Sequence, residues 1–490
     1  MIAPAEPAPT PRHRPRGTPV AQGRWYKLSA GDLPRHIFRA YDIRGTIGDE
    51  ITPERVRLIA QVFATRFFNP SPKLVLGRDL RESSKALAEA AMDGLLAAGA
   101  EVWDVGVAPS PLVYFAIGRW GADGGLVITA SHLPPDHNGL KLRLGDGPFY
   151  GDSLQELYKA ALEPPQVRGG GRLVARDVYA EYFPAALTYL KLHRPVRLVL
   201  DLGNGASCLT APALFERLGC KPEILFGEPD GGRFQGRGPD PLAEGALRAL
   251  CERVVQSGAE AGLAIDADGD RLAVVDEKGS PISADRALLP LIREALAQGE
   301  KHFVSDVRCS RSTIRYIEER GGHLAMAKCG YPFILDKMRK LSAAIGFETT
   351  GHYYFRNPDI KFDDAVFAAA LLVGALSRSQ EPLSQIIASA PQFCTSDELR
   401  WHCDDAVKFK VVERLTEEYA REFEVIIEDG VRVEKPEGWA LVRASNTAPE
   451  ITMRWEGDSP ESRDAIGQEL QQRVRRVMNE VARNPQTTEH

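Results

Sequence analysis

The sequence predicts an α/β protein with a smaller α+β domain at its C-terminal end. Short apolar runs alternate with amphipathic stretches over most of the chain. The tail instead reads as a hairpin, two more strands and one long helix. Its 490 residues, at roughly 100–200 per domain, call for three or four domains.

From Arg24 onward, strand-like runs fall at residues 73–76, 126–128, 198–201, 262–265, 272–276 and 324–327. Helix-like stretches fall at 84–98, 211–218, 311–320 and 365–376. Such alternation predicts helices layered on mostly parallel sheets. Residues 163–172 contain Pro164, Pro165, Gly169, Gly170 and Gly171 and read as a linker near a boundary. In the tail, Asp429-Gly430 between strand-like 424–427 and 431–433 is a hairpin signal. Strand-like 439–443 and 451–455 and a helix over 461–482 follow.

Composition narrows the function. Hydrophobic residues at 43% and charged residues at 26% are those of a soluble globular chain and exclude long disorder. With 61 basic against 67 acidic residues the net charge is −6, which argues against nucleic acid as a partner and leaves room for a local basic pocket. Seven cysteines, an odd number with no C-x-x-C pair, fit a reduced, cytoplasmic setting. The longest uncharged apolar run, 365–376, is shorter than the roughly 18 residues of a membrane span and reads as a buried helix. Residues 1–23 are rich in Pro and Ala and lack the apolar core of a secretory signal. They read as a disordered extension.

Four stretches carry chemistry. Thr129-Ala130-Ser131-His132-Leu133-Pro134-Pro135-Asp136-His137-Asn138-Gly139-Leu140-Lys141 follows the apolar run 125–128. It brings Ser131 to the C-terminal end of a strand, where open α/β sheets place ligands. The hydrolase elbow Gly-x-Ser-x-Gly is absent, and the bland alternative is a polar turn. In Asp266-Ala267-Asp268-Gly269-Asp270-Arg271, three carboxylates at alternating positions follow another strand. Like charges at this density call for a cation, and hard oxygen ligands suit Mg²⁺ or Ca²⁺, with Mg²⁺ favoured and a solvated acidic turn as the bland alternative. An EF-hand fails, because Arg271 stands at the position of its glycine and the flanks are strand-like. Gly346-Phe347-Glu348-Thr349-Thr350-Gly351-His352 offers a carboxylate and a hydroxyl to sugar hydroxyls, with an ordinary polar loop as alternative. Arg443-Ala444-Ser445-Asn446-Thr447-Ala448-Pro449 lies between two strands. It offers a guanidinium fork and neutral donors to a phosphate, or is an Asn-capped turn.

Taken in this order, the four loops resemble those of the α-D-phosphohexomutase family, which includes phosphomannomutase/phosphoglucomutase. The resemblance runs from about Ile37 to about Ala482 and includes Phe38-Arg39-Ala40-Tyr41-Asp42-Ile43-Arg44-Gly45, Gly77-Arg78-Asp79 and Asp104-Val105-Gly106. It implies three similar α/β domains with mixed sheets and a smaller C-terminal α+β domain. The expected division is a phosphoserine-loop domain at 24–176, a metal-binding domain at 177–279, a sugar-binding domain at 280–391 and a phosphate-binding domain at 392–490. It also implies that Ser131 carries a phosphoryl group and, with Asp266, Asp268 and Asp270, holds Mg²⁺. Glu348 and Thr350 would bind the sugar, and Arg443, Ser445, Asn446 and Thr447 the phosphate that is not transferred. Arg271 and Arg308 match basic substrate positions. Lys141 and His352 match candidate proton carriers, Arg44 an electrostatic helper, and His132 a histidine beside the serine.

The implied reaction interconverts hexose 1-phosphate and hexose 6-phosphate, mannose and/or glucose, through a hexose 1,6-bisphosphate. The implied partner is a small-molecule phosphosugar, with neither nucleic acid nor membrane, in a monomer or weak homo-oligomer. Alternatives on the same scaffold are a phosphoglucosamine mutase, a sugar-bisphosphate synthase and a non-catalytic phosphosugar-binding paralogue. The chain departs from the family pattern at Leu133 (usually Asn), Ala267 (usually Gly), Thr350 (usually Ser) and Tyr331 (often His, Asp or Ser). Thr349 is neither the Met of mannose/glucose enzymes nor the Gln of glucosamine enzymes.

Overall fold

A computed structural model describes residues 33–145, 147–445 and 448–483. The expected extension at 1–23 lies outside them. Among the described residues the strands build four sheets. The first contains β1 (Ile43–Thr46), β2 (Lys73–Arg78), β3 (Glu101–Val107), β4 (Gly124–Ile128), β5 (His137–Leu144), β6 (Gly147–Pro148) and β7 (Arg172–Ala175). Its order is β1-β5-β4-β2-β3-β7, with β6 on β5. The second contains β8 (Leu198–Asp201), β9 (Glu223–Leu225), β10 (Ala261–Ile265), β11 (Leu272–Asp276) and β12 (Pro281–Ile282), in the order β12-β11-β10-β8-β9. The third contains β13 (His302–Asp306), β14 (His323–Ala327), β15 (Ile345–Phe347) and β16 (Tyr353–Phe355), ordered β14-β13-β15-β16.

Set side by side, the three sheets share one core. A central strand (β2, β8, β13) has a parallel neighbour on each side. One of those neighbours (β4, β10, β15) turns back into an antiparallel strand (β5, β11, β16). The pairing is therefore mixed rather than mostly parallel. The reason is local: each strand-to-strand turn is short and polar, so the chain returns beside itself without a crossover helix. Those three turns are the Ser131, Asp266–Asp270 and Glu348–His352 stretches.

The segment read as a linker is only partly one. Residues 163–171 form the loop, but Arg172–Ala175 is β7, paired in parallel with β3. Arg168 and Gly169 donate their amides to the carbonyl of Ala97 at 3.0 and 3.1 Å. The glycines let this loop lie against the C-terminal end of the helix Glu82–Ala97, since a Cβ on Gly171 would meet the Leu96 carbonyl oxygen at 2.4 Å.

The fourth sheet contains β17 (Cys394–Thr395), β18 (Leu399–His402), β19 (Glu424–Ile426), β20 (Val431–Lys435), β21 (Gly438–Ala444) and β22 (Glu450–Gly457). Among the described residues every pairing in it is antiparallel. Helices Lys408–Tyr419 and Pro460–Arg483 cover it and share its core. Asp429-Gly430 does turn between β19 and β20, with Gly430 at φ +75°, a left-handed conformation that suits glycine.

One hydrophobic cluster runs through the first three units, taking in Val113, Tyr182, Leu263, Phe303 and Val366, beside separate clusters within each unit, such as that of Phe63 and Leu126 in the first. The apolar run in the sequence is its central helix, Ala365–Arg378, buried at twelve positions. No helix among the described residues is long and apolar enough to cross a membrane. Asp364 caps this helix by accepting the amide of Phe367 at 2.9 Å and also accepts the Tyr182 hydroxyl at 2.6 Å. Burial raises its carboxyl to about 6, although both bonds favour the anion. A folded value above the unfolded one means stability present below pH 4 and lost as pH rises through 6. Between pH 4 and 7, wild type is expected to lose about 3 kcal/mol relative to Asp364→Asn, which keeps the cap. Melting curves of the two proteins across that range check this, and parallel pH profiles refute it.

Candidate active site

The three turns and the β21–β22 turn open on one cleft of about 650 Å³. Its lining includes Arg44, Ser131, His132, Lys141, Asp270, Arg271, Arg308, Glu348, Thr350, His352, Arg443 and Ser445. Asn446 and Thr447 lie outside the described residues. Every other residue expected at the site is on this cleft or, for Asp266 and Asp268, buried just behind it.

Ser131 sits at φ +51°, in the left-handed region that a residue bearing a Cβ enters at a cost of roughly 1 kcal/mol. The turn is held by its main chain. The Ser131 amide donates to Thr129 Oγ1 at 2.9 Å, and that hydroxyl donates to Asp79 at 2.8 Å. Ser131 Oγ itself is lightly engaged, 3.3 Å from Asp266 Oδ2 and 3.3 Å from His132 Nδ1. Burial, then the nearby Arg271 and Arg44, push the His132 imidazole well below its ordinary value, so it is neutral at physiological pH.

The carboxylates of Asp266, Asp268 and Asp270 offer oxygens within 4.8 Å of one another, all buried. Asp266 Oδ1 accepts the amides of Gly269, Asp270 and Arg271 and so folds the turn on itself. Gly269 takes φ +85°, and a Cβ there would strike Ser207 Oγ at 2.7 Å. Neighbouring elements stitch the turn in place, because Ser110 and Ala365 donate their amides to the carbonyls of Asp268 and Gly269. Ala267 is buried without displacing a carboxylate. Lys141 Nζ reaches Asp268 and Asp270 at 2.6 and 2.5 Å. Asp268 Oδ1 and Asp270 Oδ1 remain buried without a hydrogen-bond partner. Burial and the other two carboxylates push Asp266 well above the usual carboxylate range. An all-oxygen set with unpaired buried oxygens fits a hard divalent cation.

The β15–β16 turn forms another wall. Glu348 accepts the Gly330 amide at 2.5 Å and the Tyr354 hydroxyl at 3.1 Å. Burial, first of all, raises its carboxyl above the ordinary value. Thr349 points its hydroxyl at Asp306 rather than into the cleft. His352 Nε2 accepts from Arg271 Nε at 3.1 Å, and Nδ1 lies 2.8 Å from Asp363. That arrangement places the ring proton on Nδ1 when the imidazole is neutral. Leu133 and Tyr331 both face the cleft, and Tyr331 meets Tyr41 edge-on at 6.2 Å.

On the C-terminal unit, Arg443 Nε donates to Asp429 at 2.9 Å, and Asp429 also accepts the Cys329 amide at 3.2 Å. Lys408, itself buried, donates to the carbonyls of Ser445 and Ala448 at 2.6 and 2.9 Å. Lys408, Asp429, Asp363, Ser110 and Arg81 support the site although the motifs alone do not single them out, as does Asp79, which the motif Gly77-Arg78-Asp79 includes without a role. Two signals could have found some of them: Asp363-Asp364 stands directly before the apolar helix run, and Asp429-Gly430 marks a hairpin turn beside a site strand.

Phosphohexomutases, isomerases that move a phosphoryl group within a sugar, are the class this scaffold and cleft define. The comparisons agree domain by domain. Models of phosphoglucomutase/phosphomannomutase α/β/α domains I, II and III match residues 35–166, 177–279 and 284–393, and that of the C-terminal domain matches 398–476. A phosphomannomutase/phosphoglucomutase of Pseudomonas aeruginosa is 34% identical over 440 residues, covering 89% of this chain and 95% of that protein. A phosphoglucomutase of Neisseria gonorrhoeae is 35% identical over 435 residues, 87% of this chain and 94% of its own. The crystal structure of a phosphoglucomutase/phosphomannomutase family protein from Burkholderia thailandensis superposes with a TM-score of 0.84 at 34% identity, over 91% of this chain and 98% of that one. This chain belongs to the phosphoglucomutase/phosphomannomutase family.

Proposed function

We propose that the protein interconverts the 1- and 6-phosphates of mannose and/or glucose, with Ser131 carrying the phosphoryl group and a hexose 1,6-bisphosphate as intermediate. The observation that carries this reading is the lightly bonded Ser131 hydroxyl beside the buried carboxylate triad, on the same cleft as Arg308 and Arg443. The sugar and substrate names of the relatives support mannose and glucose over glucosamine.

Asp266, Asp268 and Asp270, with an oxygen on Ser131, are the residues that would hold Mg²⁺, which neutralises phosphoryl oxygens when bound there. The remaining work belongs to side chains. Arg443, with Ser445 and the adjoining loop, grips the phosphate of a hexose 1-phosphate. Glu348 and Thr350 orient the sugar hydroxyls. The 6-hydroxyl attacks phosphorus on phospho-Ser131: its O–P bond forms as the Ser131 Oγ–P bond breaks, and its proton passes to a neighbouring base. His132 is neutral and 3.3 Å from Oγ, while Lys141 and His352 are the other proton carriers on that wall. Arg44 and Arg271 add positive charge where the phosphoryl group moves. The bisphosphate then turns over and returns its other phosphate to Ser131. The cleft must exclude water, which would otherwise take the phosphoryl group. The same chemistry suits a reduced, cytoplasmic enzyme acting alone or as a weak homo-oligomer.

A mutase assay over mannose, glucose and glucosamine 1-phosphates, with Mg²⁺ and catalytic 1,6-bisphosphate, tests the reading. Turnover highest on the first two supports it. Net release of bisphosphate would make the protein a synthase, and no turnover on any of the three would sink the proposal. Arg443→Ala is expected to raise KM by roughly tenfold to a hundredfold, since it removes a charged phosphate contact. An unchanged KM would overturn that role.

A further inference from the structure

The shared core of the three sheets has a buried partner for each functional turn. The central strands β2, β8 and β13 each end at an aspartate: Asp79 just past β2, Asp201 on the last residue of β8 and Asp306 on the last of β13. All three are buried, and each is ion-paired with an arginine whose side chain is almost inaccessible: Asp79–Arg81 at 3.2 Å, Asp201–Arg237 at 2.6 Å and Asp306–Arg308 at 2.9 Å. Each pair touches the turn that leaves the neighbouring strand of its own sheet.

In the first copy every guanidinium donor is used. Arg81 Nε bonds Asp79, Nη1 bonds the carbonyls of Pro134 and His137 at 2.7 and 3.1 Å, and Nη2 bonds those of Ser131 and Leu133 at 2.8 and 2.6 Å. Five N–H groups therefore hold four carbonyls of the serine turn and one carboxylate. In the second copy Arg237 bonds the carbonyls of Ile265, at the root of the triad turn, and Gly238 at 2.5 and 3.1 Å. In the third, Asp306 takes the turn directly, through the Thr349 amide at 2.8 Å. There Arg308 forks onto Asp306 and lines the cleft.

We propose that these are three copies of one clamp, in which Arg81 and Arg237 are positioning residues for the nucleophile turn and the triad turn, while the third arginine, Arg308, has been released to meet substrate. The inference rests on Ser131 being the phosphoryl carrier. Lysine cannot replace Arg81, because three donors on a flexible stem cannot hold four carbonyls and a carboxylate in fixed positions. The left-handed Ser131 backbone would then relax, and misplacing a reacting atom by about 1 Å costs roughly a hundredfold in rate. Nothing in Arg81 reaches the sugar, so substrate affinity should be spared.

The test compares wild type, Arg81→Lys and Arg308→Lys for kcat and KM on glucose 1-phosphate, below each protein's melting temperature. Val254→Ala, a core truncation in the helix Arg248–Ser257, controls for destabilisation alone. The clamp predicts a kcat loss of roughly a hundredfold in Arg81→Lys with KM within a few-fold, slower phosphorylation of Ser131 by glucose 1,6-bisphosphate in intact mass spectra, and a raised KM in Arg308→Lys. Should Arg81→Lys fail to fold, Thr129→Val, which removes the hydroxyl that accepts the Ser131 amide and donates to Asp79, is read the same way. Unchanged kcat, or a loss confined to KM, overturns the proposal. A wild-type protein without mutase turnover would instead overturn the assignment of Ser131.

Discussion

Ser131→Ala is expected to show no mutase turnover above background while melting close to wild type. The two halves of this expectation have separate causes. Turnover depends on Oγ, since the proposed reaction forms and breaks its bond to phosphorus in every cycle. Stability does not, since Oγ makes only two contacts, both at 3.3 Å. The turn is held instead through the Ser131 amide and carbonyl, which alanine retains. Both residues carry a Cβ, so the left-handed backbone at φ +51° strains them alike. Coupled assay, thermal melting and intact mass after exposure to glucose 1,6-bisphosphate read the three quantities. Wild type should gain one phosphate and the variant none. Near-normal turnover in Ser131→Ala would end the phosphoserine mechanism.

Removal of divalent cation is expected to have a comparable effect. Three buried carboxylates face one another with Lys141 as their close cationic partner, and two of their oxygens lack any hydrogen bond. Chelation should bring turnover to background, and Mg²⁺ should restore it saturably. An ion held by the folded triad and not by the unfolded chain should also raise the melting temperature when Mg²⁺ is added. At a hundredfold excess over Kd the stabilisation is about 2.7 kcal/mol. Full activity in protein shown by elemental analysis to hold no divalent metal would refute the site.

Much of this was legible in the chain itself, and the reasons differ by element. The triad announced itself because charge at that density has few structural excuses. The apolar run at 365–376 was readable as a buried helix because nothing polar interrupts it. The hairpin at Asp429-Gly430 follows from turn chemistry that depends on two residues only. Parallel pairing was over-read, because a strand followed by a short polar turn can return antiparallel, and alternation of runs does not distinguish the two. The clamps were illegible for another reason. Arg237 meets Asp201 from 36 residues away, and Lys408 reaches Ser445 across 37. A lone basic residue in sequence carries no mark of the carbonyls it will hold. Arg81 stands beside the motif Gly77-Arg78-Asp79, yet the Ser131 carbonyl it holds lies 50 residues on.

The continuous core has a consequence for how damage spreads. The helix Ala365–Arg378 packs against β10 and β11 of the second sheet and β16 of the third, and it belongs to the same hydrophobic cluster as Val113 and Phe115 behind the first. These units are therefore poor candidates for independent unfolding. A cavity opened in that one helix, far along the chain from Ser131, should loosen the serine, triad and sugar turns together. The C-terminal unit has its own core and meets the third through a small buried apolar cluster of Val307, Cys329, Trp439 and Leu441 and through polar contacts, with Glu456 accepting from Ser310 and Arg311. Cooperativity is thus expected to follow packing: the first three domains are tied through one shared cluster, and the fourth joins them through a smaller seam, apolar and polar.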